Sequence, residues 1–295
     1  MDVVSIQFSR FSAFYSPLIS TMSGDFLKNE GLSFEWSTAG AGVPAVNALI
    51  DGSAHVIQSA PSQSFLKLAN GDTPAEMHFA QVNEMDGFFL AGQKPDPNFA
   101  WEQLNGAKII VDQSSVQPLS MLKYACYKQG LDFNELQIID AGSGASKIEA
   151  FRSQKGDYIH LQGPAPQQLE YERFGYIVTA VGPAIGPCAF SSLAATRDWL
   201  KTDTAIAFTR AYKRARRWLL STPSDVVAKT LKIFFPDTHI EVLASTIDYY
   251  QKLGNWTPEL EISKISYEAA LDVFEYSGQI SKRPAYEAVV ALPPV

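Results

Sequence analysis

Hydrophobic and polar positions follow two alternating periods along the first part of the chain. Residues 3–8, Val-Val-Ser-Ile-Gln-Phe, read as a strand. Ser16-Pro17 then supplies a helix N-cap with proline at the first helical position, and Leu18, Ile19, Met22, Phe26 and Leu27 recur at helical spacing. Gly31 stands where a left-handed cap would close that helix. The order repeats, with a strand at 33–38, a helix around 44–50 ended by Gly52, a strand at 55–59, a helix from Pro61 to about Ala69, and a strand at 76–82 after the turn Gly71-Asp72-Thr73-Pro74. Such crossovers join parallel neighbours, so the run predicts a largely parallel sheet.

A second run follows the turn-like Asn105-Gly106: strand 108–111, a helix near 118–129 ended by Gly130, strand 136–139, helix 145–153, strand 158–162, helix 165–173 and strand 176–181. From about residue 197 the pattern is helical alone, at 204–220, 225–234, 240–251 and 263–276. A helical tail this long needs an apolar surface to cover, and the first α/β half is the one short of material. The expected architecture is therefore α/β with two lobes, each a mostly parallel sheet flanked by helices. Residues 1–86 form the first part of lobe one, 87–188 form lobe two, and 189–295 return as the mainly helical second part of lobe one. The two crossings, near 81–92 and 182–192, are rich in Gly and in short extended segments that can act as a hinge.

Composition narrows the class. With 295 residues, 46% hydrophobic and 19% charged, the chain can bury a large core, which excludes disorder and a coiled coil. A net charge of −7, from 24 basic and 31 acidic residues, argues against a nucleic-acid backbone as partner. No stretch approaches the roughly 20 apolar residues that cross a bilayer. Met1 to Phe14 lacks a basic leader and a cleavage site, so a cytoplasmic protein or one whose export signal has been removed is expected, the second being preferred. Cys126 and Cys188 lie far apart and form no CxxC pattern, so neither a disulfide framework nor a zinc site is indicated.

Little of the usual catalytic vocabulary is present. His55, His78, His160 and His239 lack the spacing that puts two imidazoles on one metal, and a packed structural role is expected for each. Gly40-x-Gly42 and Gly142-x-Gly144 resemble pieces of phosphate loops, yet the first lacks the third glycine of a dinucleotide fingerprint and Lys147 is not in a Walker arrangement. No GxSxG elbow occurs. Arg210, Lys213, Arg214 and Arg217 share one helical face, either a docking surface for an acidic or membrane partner or a solvated face, with the solvated face expected. Asn255-Trp256-Thr257 is a glycosylation sequon by letter only.

The informative positions are the junctions after the strands, because open parallel sheets bind ligands beyond the carboxyl ends of their strands. Ser9-Arg10-Phe11 and Phe14-Tyr15 follow the first strand, Gly40-Ala41-Gly42 the second and Ser59-Ala60-Pro61 the third; Gln81 lies in the fourth, where the first crossing begins. Ser114-Ser115 and Gln162-Gly163-Pro164 stand in equivalent places in the second run. Helix N-termini there offer unpaired N–H groups and partial positive charge, so two facing lobes would cage a polar or anionic small molecule between aromatic walls. Any one of these residues can equally be a turn or a cap.

The order of elements resembles the periplasmic substrate-binding proteins of ABC importers, in the branch of sulfonate, nitrate, taurine and thiamine-pyrimidine-precursor binders (SsuA/THI5-like, also called NMT1-like). The likeness covers roughly residues 8 to 290. It is carried by Phe14-Tyr15-Ser16-Pro17-Leu18, Phe26-Leu27-Lys28-Asn29-Glu30-Gly31-Leu32, Gly40-Ala41-Gly42, Ala48-Leu49-Ile50-Asp51-Gly52, Trp101 to Gly106, Gly130-Leu131-Asp132 and Gly254-Asn255-Trp256. The resemblance implies a two-lobe periplasmic-binding-protein type II fold closing on a ligand. Contacts are implied from Ser9, Phe14, Tyr15, Gly40, Gly42, Ser59, Ser114, Ser115 and Gln162, and the candidate set is completed by Arg10, Phe11, Ala41, Pro61 and Gln81.

On this reading N–H groups at Gly40–Gly42 and Ser114–Ser115 hold an anionic or carbonyl group, Phe14 and Tyr15 stack on an apolar or planar portion, and Arg10 adds a charge-assisted pair. The expected protein is a periplasmic monomer without cofactor or catalysis that presents a small organic ligand to a membrane permease. A pyrimidine-precursor synthase and a sensory module are the alternatives. His55 stands where many relatives carry an acidic residue, and the cysteine-rich signature of the yeast-type synthases is absent. The shortage of basic residues at the junctions, with Phe11, Phe14 and Tyr15 at the first, favours an organic ligand over an inorganic anion.

Overall fold

The computed structural model describes residues 1–295 apart from Ala41 and Ser143. The chain begins with β1 (Asp2–Phe8), α1 (Ser16–Ser23), β2 (Leu32–Thr38), α2 (Val46–Ile50), β3 (Val56–Ser59), α3 (Pro61–Ala69) and β4 (Glu76–Asn83). There follow β5 (Phe88–Gly92), β6 (Lys108–Val111), α4 (Val116–Lys128), β7 (Gln137–Asp140), α5 (Ala145–Arg152), β8 (Tyr158–Gln162), α6 (Ala165–Tyr171), β9 (Tyr176–Ala180) and α7 (Gly182–Ile185). The last part holds β10 (Ser191–Thr196), α8 (Asp203–Ser221), α9 (Ser224–Leu231), α10 (Ile240–Leu253), α11 (Lys264–Tyr276) and α12 (Tyr286–Val289). These elements pack into two compact units, Met1–Glu84 with Cys188–Val295 as unit 1, and Met85–Pro187 as unit 2.

Unit 1 is built on a five-stranded sheet in the order β2-β1-β3-β10-β4. β1 runs parallel to β2 and β3, whereas β10 is antiparallel to both β3 and β4. The helical tail covers this sheet, as the α/β reading with a tail on lobe one expects: α8 lies against α1, and α11 and α12 lie against α3. Ala205, Phe208, Tyr212, Ala215 and Leu219 form the buried stripe of the 19-residue α8. Unit 2 repeats the plan with the order β7-β6-β8-β5-β9, in which β6 is parallel to β7 and β8 and β5 is antiparallel to β8 and β9. Ala91, Ile110, Phe151, Ile159, Leu161 and Leu169 make one of its core clusters.

The structure differs from the sequence expectation most at β5 and β10, the reversed strands: β5 falls in the crossing read at 81–92, and β10 begins at the end of the one read at 182–192 and runs on through residues given no element. Ser191–Thr196 is Ser-Ser-Leu-Ala-Ala-Thr, poor in the β-branched and aromatic residues that mark strands. Phe88–Gly92 is buried at every position, so it carries no alternation to read. A smaller departure is α1, which stops at Ser23 because Gly24 turns extended (φ −93°, ψ 174°), leaving Phe26 and Leu27 beyond it. Gly31 does adopt the left-handed conformation (φ 73°), but it closes a short 3-10 turn at Lys28–Glu30.

The basic face of α8 is partly consumed within unit 1. Arg210 and Arg214 grip the Glu30 carboxylate at 2.7 and 2.5 Å, tying α8 to the turn before β2. Arg216 points the other way, is 1% exposed, and donates to the carbonyls of Gln81, Val82 and Thr257 and to the Tyr212 hydroxyl. These acceptors are all neutral, so the guanidinium is held by hydrogen-bond number rather than by a counter-charge. Replacing Arg216 by Met removes the donor to the Val82 and Thr257 carbonyls, the Gln81 carbonyl keeping the Tyr212 hydroxyl, and it is expected to lower unfolding free energy by about 2–4 kcal/mol in chemical denaturation. An unchanged midpoint would contradict this assignment.

Candidate ligand-binding site

The parallel strands of unit 1 end on one edge of the sheet, and the antiparallel β10 begins there. Register pairs Phe8 with Thr38 and Gln58, Ser59 with Ser192, and Asn83 with Ser191. Ser9 is stitched across this edge, its N–H donating to the Gln58 carbonyl at 3.2 Å and its hydroxyl to Gln58 Oε1 at 2.8 Å. Ala39 N–H donates to the Phe8 carbonyl at 2.8 Å, so the β2 junction leaves beside the β1 junction. The fold thereby brings together Ser9, Gly40 and Ser59, with Arg10, Gly42 and Pro61 within two residues of them along the chain. Ser9, Arg10, Gly40 and Gly42 are exposed, while Ser59 and Pro61 are buried. Ala41 lies outside the described residues.

The aromatic residues divide. Phe11 is half-buried and stacks on Trp36, ring centroids 4.7 Å apart, with Phe8 and Phe235 at 5.0 and 5.2 Å. Phe14 is sealed instead, packed between Phe190 and Tyr250 at 5.4 and 4.8 Å, and Tyr15 is buried beside it. The stacking expected of Phe14 is therefore corrected, because its ring fills the core of unit 1. Gln81 is corrected for the same reason: its amide donates to Thr257 Oγ1 at 2.9 Å and to the Glu259 carbonyl at 3.0 Å, so it fastens the tail to β4.

Several structural residues at this edge escaped sequence reasoning. Trp256 Nε1 donates to Asn83 Oδ1 at 2.7 Å and to the Phe14 carbonyl at 3.1 Å, which gives the Gly254-Asn255-Trp256 motif a locking role. Asn83 in turn donates to the Ser191 hydroxyl at 2.7 Å. Behind them runs a buried polar line. Lys67 pairs with Glu76 at 3.1 Å, the Ser64 hydroxyl donates to Glu76 Oε1 at 3.0 Å, and His78 lies 3.1 Å from Ser64 Oγ and 2.7 Å from Ser192 Oγ. Because the Ser64 proton goes to the carboxylate, its oxygen accepts from His78 Nε2–H, and His78 Nδ1 accepts from the Ser192 hydroxyl. His55 likewise serves the fold, its Nδ1 accepting from Ser5 N–H at 3.0 Å.

In unit 2 the β6 junction holds Ser114 and Ser115, and β8 ends at the half-buried Gln162, followed by the cis Gly163–Pro164 bond. The amides expected to hold an anion are already used. Ser114 N–H donates to Asp112 Oδ1 at 3.0 Å, Ser115 N–H to the Asp112 carbonyl at 3.3 Å, and Gln113 N–H to Asp140 Oδ1 at 3.4 Å. The serine hydroxyls donate to the two Asp112 oxygens at 2.5 and 2.6 Å. Asp112 thus sits below the usual carboxylate range despite burial, held there by the serine hydroxyls and the nearby Lys147 ammonium. The signal was present in the sequence as Asp112-x-Ser-Ser, an aspartate that ties the backbone two residues on.

Deeper in unit 2, Lys147 donates to the His160 carbonyl at 3.0 Å and the His160 ring stacks on Phe88 at 4.5 Å. Burial, seconded by Lys147, keeps His160 neutral. Gln167, in the first turn of α6, is 2% exposed with neither amide atom hydrogen-bonded.

No protein-family model matches the chain. The Bacillus subtilis (strain 168) protein named "Putative binding protein YtlA" is 26% identical over 282 residues, spanning 95% of this chain and 84% of its own length. Among solved structures, the chain is similar to the alkanesulfonate-binding protein SsuA from Xanthomonas axonopodis pv. citri bound to MOPS, with TM-score 0.73, 16% identity and 98% of each chain covered. It is also similar to the periplasmic aliphatic sulphonate binding protein SsuA from Escherichia coli, with TM-score 0.74, 15% identity, and 99% and 93% covered. These likenesses establish the fold, that of the periplasmic binding proteins.

His78 gives the site region a measurable acid limit. Burial, only partly opposed by Glu76, lowers its pKa from 6.5 to about 4, so between these values the unfolded chain holds a proton that the folded chain refuses. Stability is therefore present above pH 6.5 and lost as pH falls toward 4. The loss at this group is about 3 kcal/mol. Denaturation of the wild-type protein and of His78→Asn across this range should show a steeper acid loss in the wild type; parallel curves would contradict the buried neutral ring.

Proposed function

We propose that this chain is the solute-binding component of an ABC importer. On this reading it captures a small organic ligand, a sulfonate, carboxylate or pyrimidine-like compound, with strand-end residues of both units, and bound ligand favours a closed state presented to a membrane permease. The observation that carries the reading is the gathering of Ser9, Gly40 and Ser59 on one sheet edge of a periplasmic-binding-protein fold. Open sheets bind ligands at such edges. Ser114, Ser115 and Gln162 occupy the matching junctions of unit 2.

Ser9, Arg10, Phe11, Gly40, Gly42 and Gln162 are the proposed contacts, the half-buried Phe11–Trp36 pair replacing Phe14 as the aromatic wall. A single exported polypeptide acting without cofactor or turnover fits this role. Among the described residues no helix is long and apolar enough to cross a membrane. Nothing in the described residues favours a pyrimidine-precursor synthase.

A thermal-shift screen of sulfonates, carboxylates and pyrimidines should find one chemical class that raises the melting temperature saturably, one molecule per chain, with the compound recovered unchanged. At a hundredfold excess over Kd the gain is about 2.7 kcal/mol. Gln162→Ala should weaken that ligand roughly tenfold, about 1.4 kcal/mol, while the ligand-free melting temperature holds. A chemically altered product would overturn the reading.

A further inference from the structure

Two asparagines of the chain precede a glycine, Asn70 and Asn105, and both pairs are exposed. Such a pair reacts with itself: glycine lacks the Cβ that would screen its nitrogen from the asparagine Cγ, and water at the surface completes the reaction. Attack requires that the glycine nitrogen give up its proton and that the asparagine ψ turn toward its own side chain. The two sites differ on both counts.

Asn105 and Gly106 are the central residues of a type II turn between a 3-10 turn at Trp101–Leu104 and β6, with Asn105 at φ −63°, ψ 120° and Gly106 at φ 76°. Ala107 N–H closes the turn on the Leu104 carbonyl at 3.1 Å, and the Gly106 carbonyl accepts from Gln137 Nε2 at 3.1 Å. The Gly106 N–H donates to no acceptor among the described residues. Turning ψ of Asn105 therefore opens an exposed turn without detaching the attacking nitrogen from a carbonyl.

Asn70 caps α3 instead, at φ −85°, ψ 0°. There Gly71 N–H donates to the Leu68 carbonyl at 3.1 Å, Asn70 N–H to the Leu66 and Lys67 carbonyls at 3.2 and 3.0 Å, and Asp72 N–H to the Lys67 carbonyl at 3.0 Å. The nitrogen that would attack is committed, and the helix end fixes ψ on both sides of it.

We propose that Asn105 is a site of spontaneous deamidation in the folded protein and that the end of α3 protects Asn70. Gly106 N bonds to Asn105 Cγ, the Cγ–Nδ2 bond breaks, and the Gly106 proton leaves with Nδ2 as ammonia. Water then opens the five-membered imide, at Cγ to give aspartate or at the backbone carbonyl to give an isoaspartyl link. Either product places a new carboxylate on the exposed turn before β6.

The test holds the intact chain at mildly alkaline pH, folded and in concentrated urea, and maps its peptides by mass spectrometry at intervals for the exchange of NH2 for OH. In the folded protein Asn105 should convert roughly tenfold faster than Asn70, and in urea the two rates should converge. Asn105→Gln should remove the signal from its peptide and leave the melting temperature unchanged. Gly106→Ala should slow conversion roughly tenfold even in urea, where strain at a left-handed turn position plays no part. Equal conversion of the two asparagines in the folded protein, or faster conversion at Asn70, overturns the proposal. So does a folded sample whose Asn105 is intact when the urea sample has converted.

Discussion

Unit 1 depends on the backbone pairing of β10. β3 and β4 are consecutive strands of the first segment, yet they are not neighbours: β10, arriving more than a hundred residues later, hydrogen-bonds to both, antiparallel to each. Until it arrives, the facing edges of β3 and β4 carry unpaired N–H and C=O groups in positions that the finished structure buries completely, which no folded protein tolerates. The chain leaves after Glu84 and returns at Cys188, whose N–H donates to the Glu84 carbonyl at 2.5 Å, so departure and return are fastened together.

The composition of β10 follows from that position. A central strand covered on both faces has room for small side chains that also serve neighbours, and Ser191 and Ser192 do so: one accepts from Asn83, the other donates to His78. Asn83 then accepts from Trp256 and brings the loop after α10 onto the same edge. Arg216 and Tyr212 meet the Gln81 carbonyl from above. The strand-end edge of unit 1 thus rests on polar groups satisfied by one another, which give it a rigid base.

Unit 2 uses the same plan with different chemistry at its strand ends. Its reversed strand β5 is wholly apolar, and its polar groups are concentrated at the β6, β7 and β8 junctions. Sequence reasoning located these junctions correctly, because Gly, Pro and Ser after an apolar run announce them. It misjudged their sign. Whether an amide before a helix is available to a ligand depends on whether a nearby carboxylate has taken it, and Asp140, which takes Gln113 N–H, lies 27 positions away in the sequence.

Periodicity, N-caps and glycine stops alone determined the α/β class, eight of the ten strands among the described residues, the long helices and the packing of a helical tail on the first lobe. These are local properties, written within a turn or a strand's length. Tertiary structure decided the two reversed strands, since their sequences are apolar or small throughout and only their partners give them direction. It also decided that Phe14 and Gln81 belong to the core while Phe11 remains half-exposed beside Trp36, and that Asp140 takes the Gln113 N–H. Burial and hydrogen-bond allocation are properties of neighbours brought from distant parts of the chain, and no local pattern encodes them.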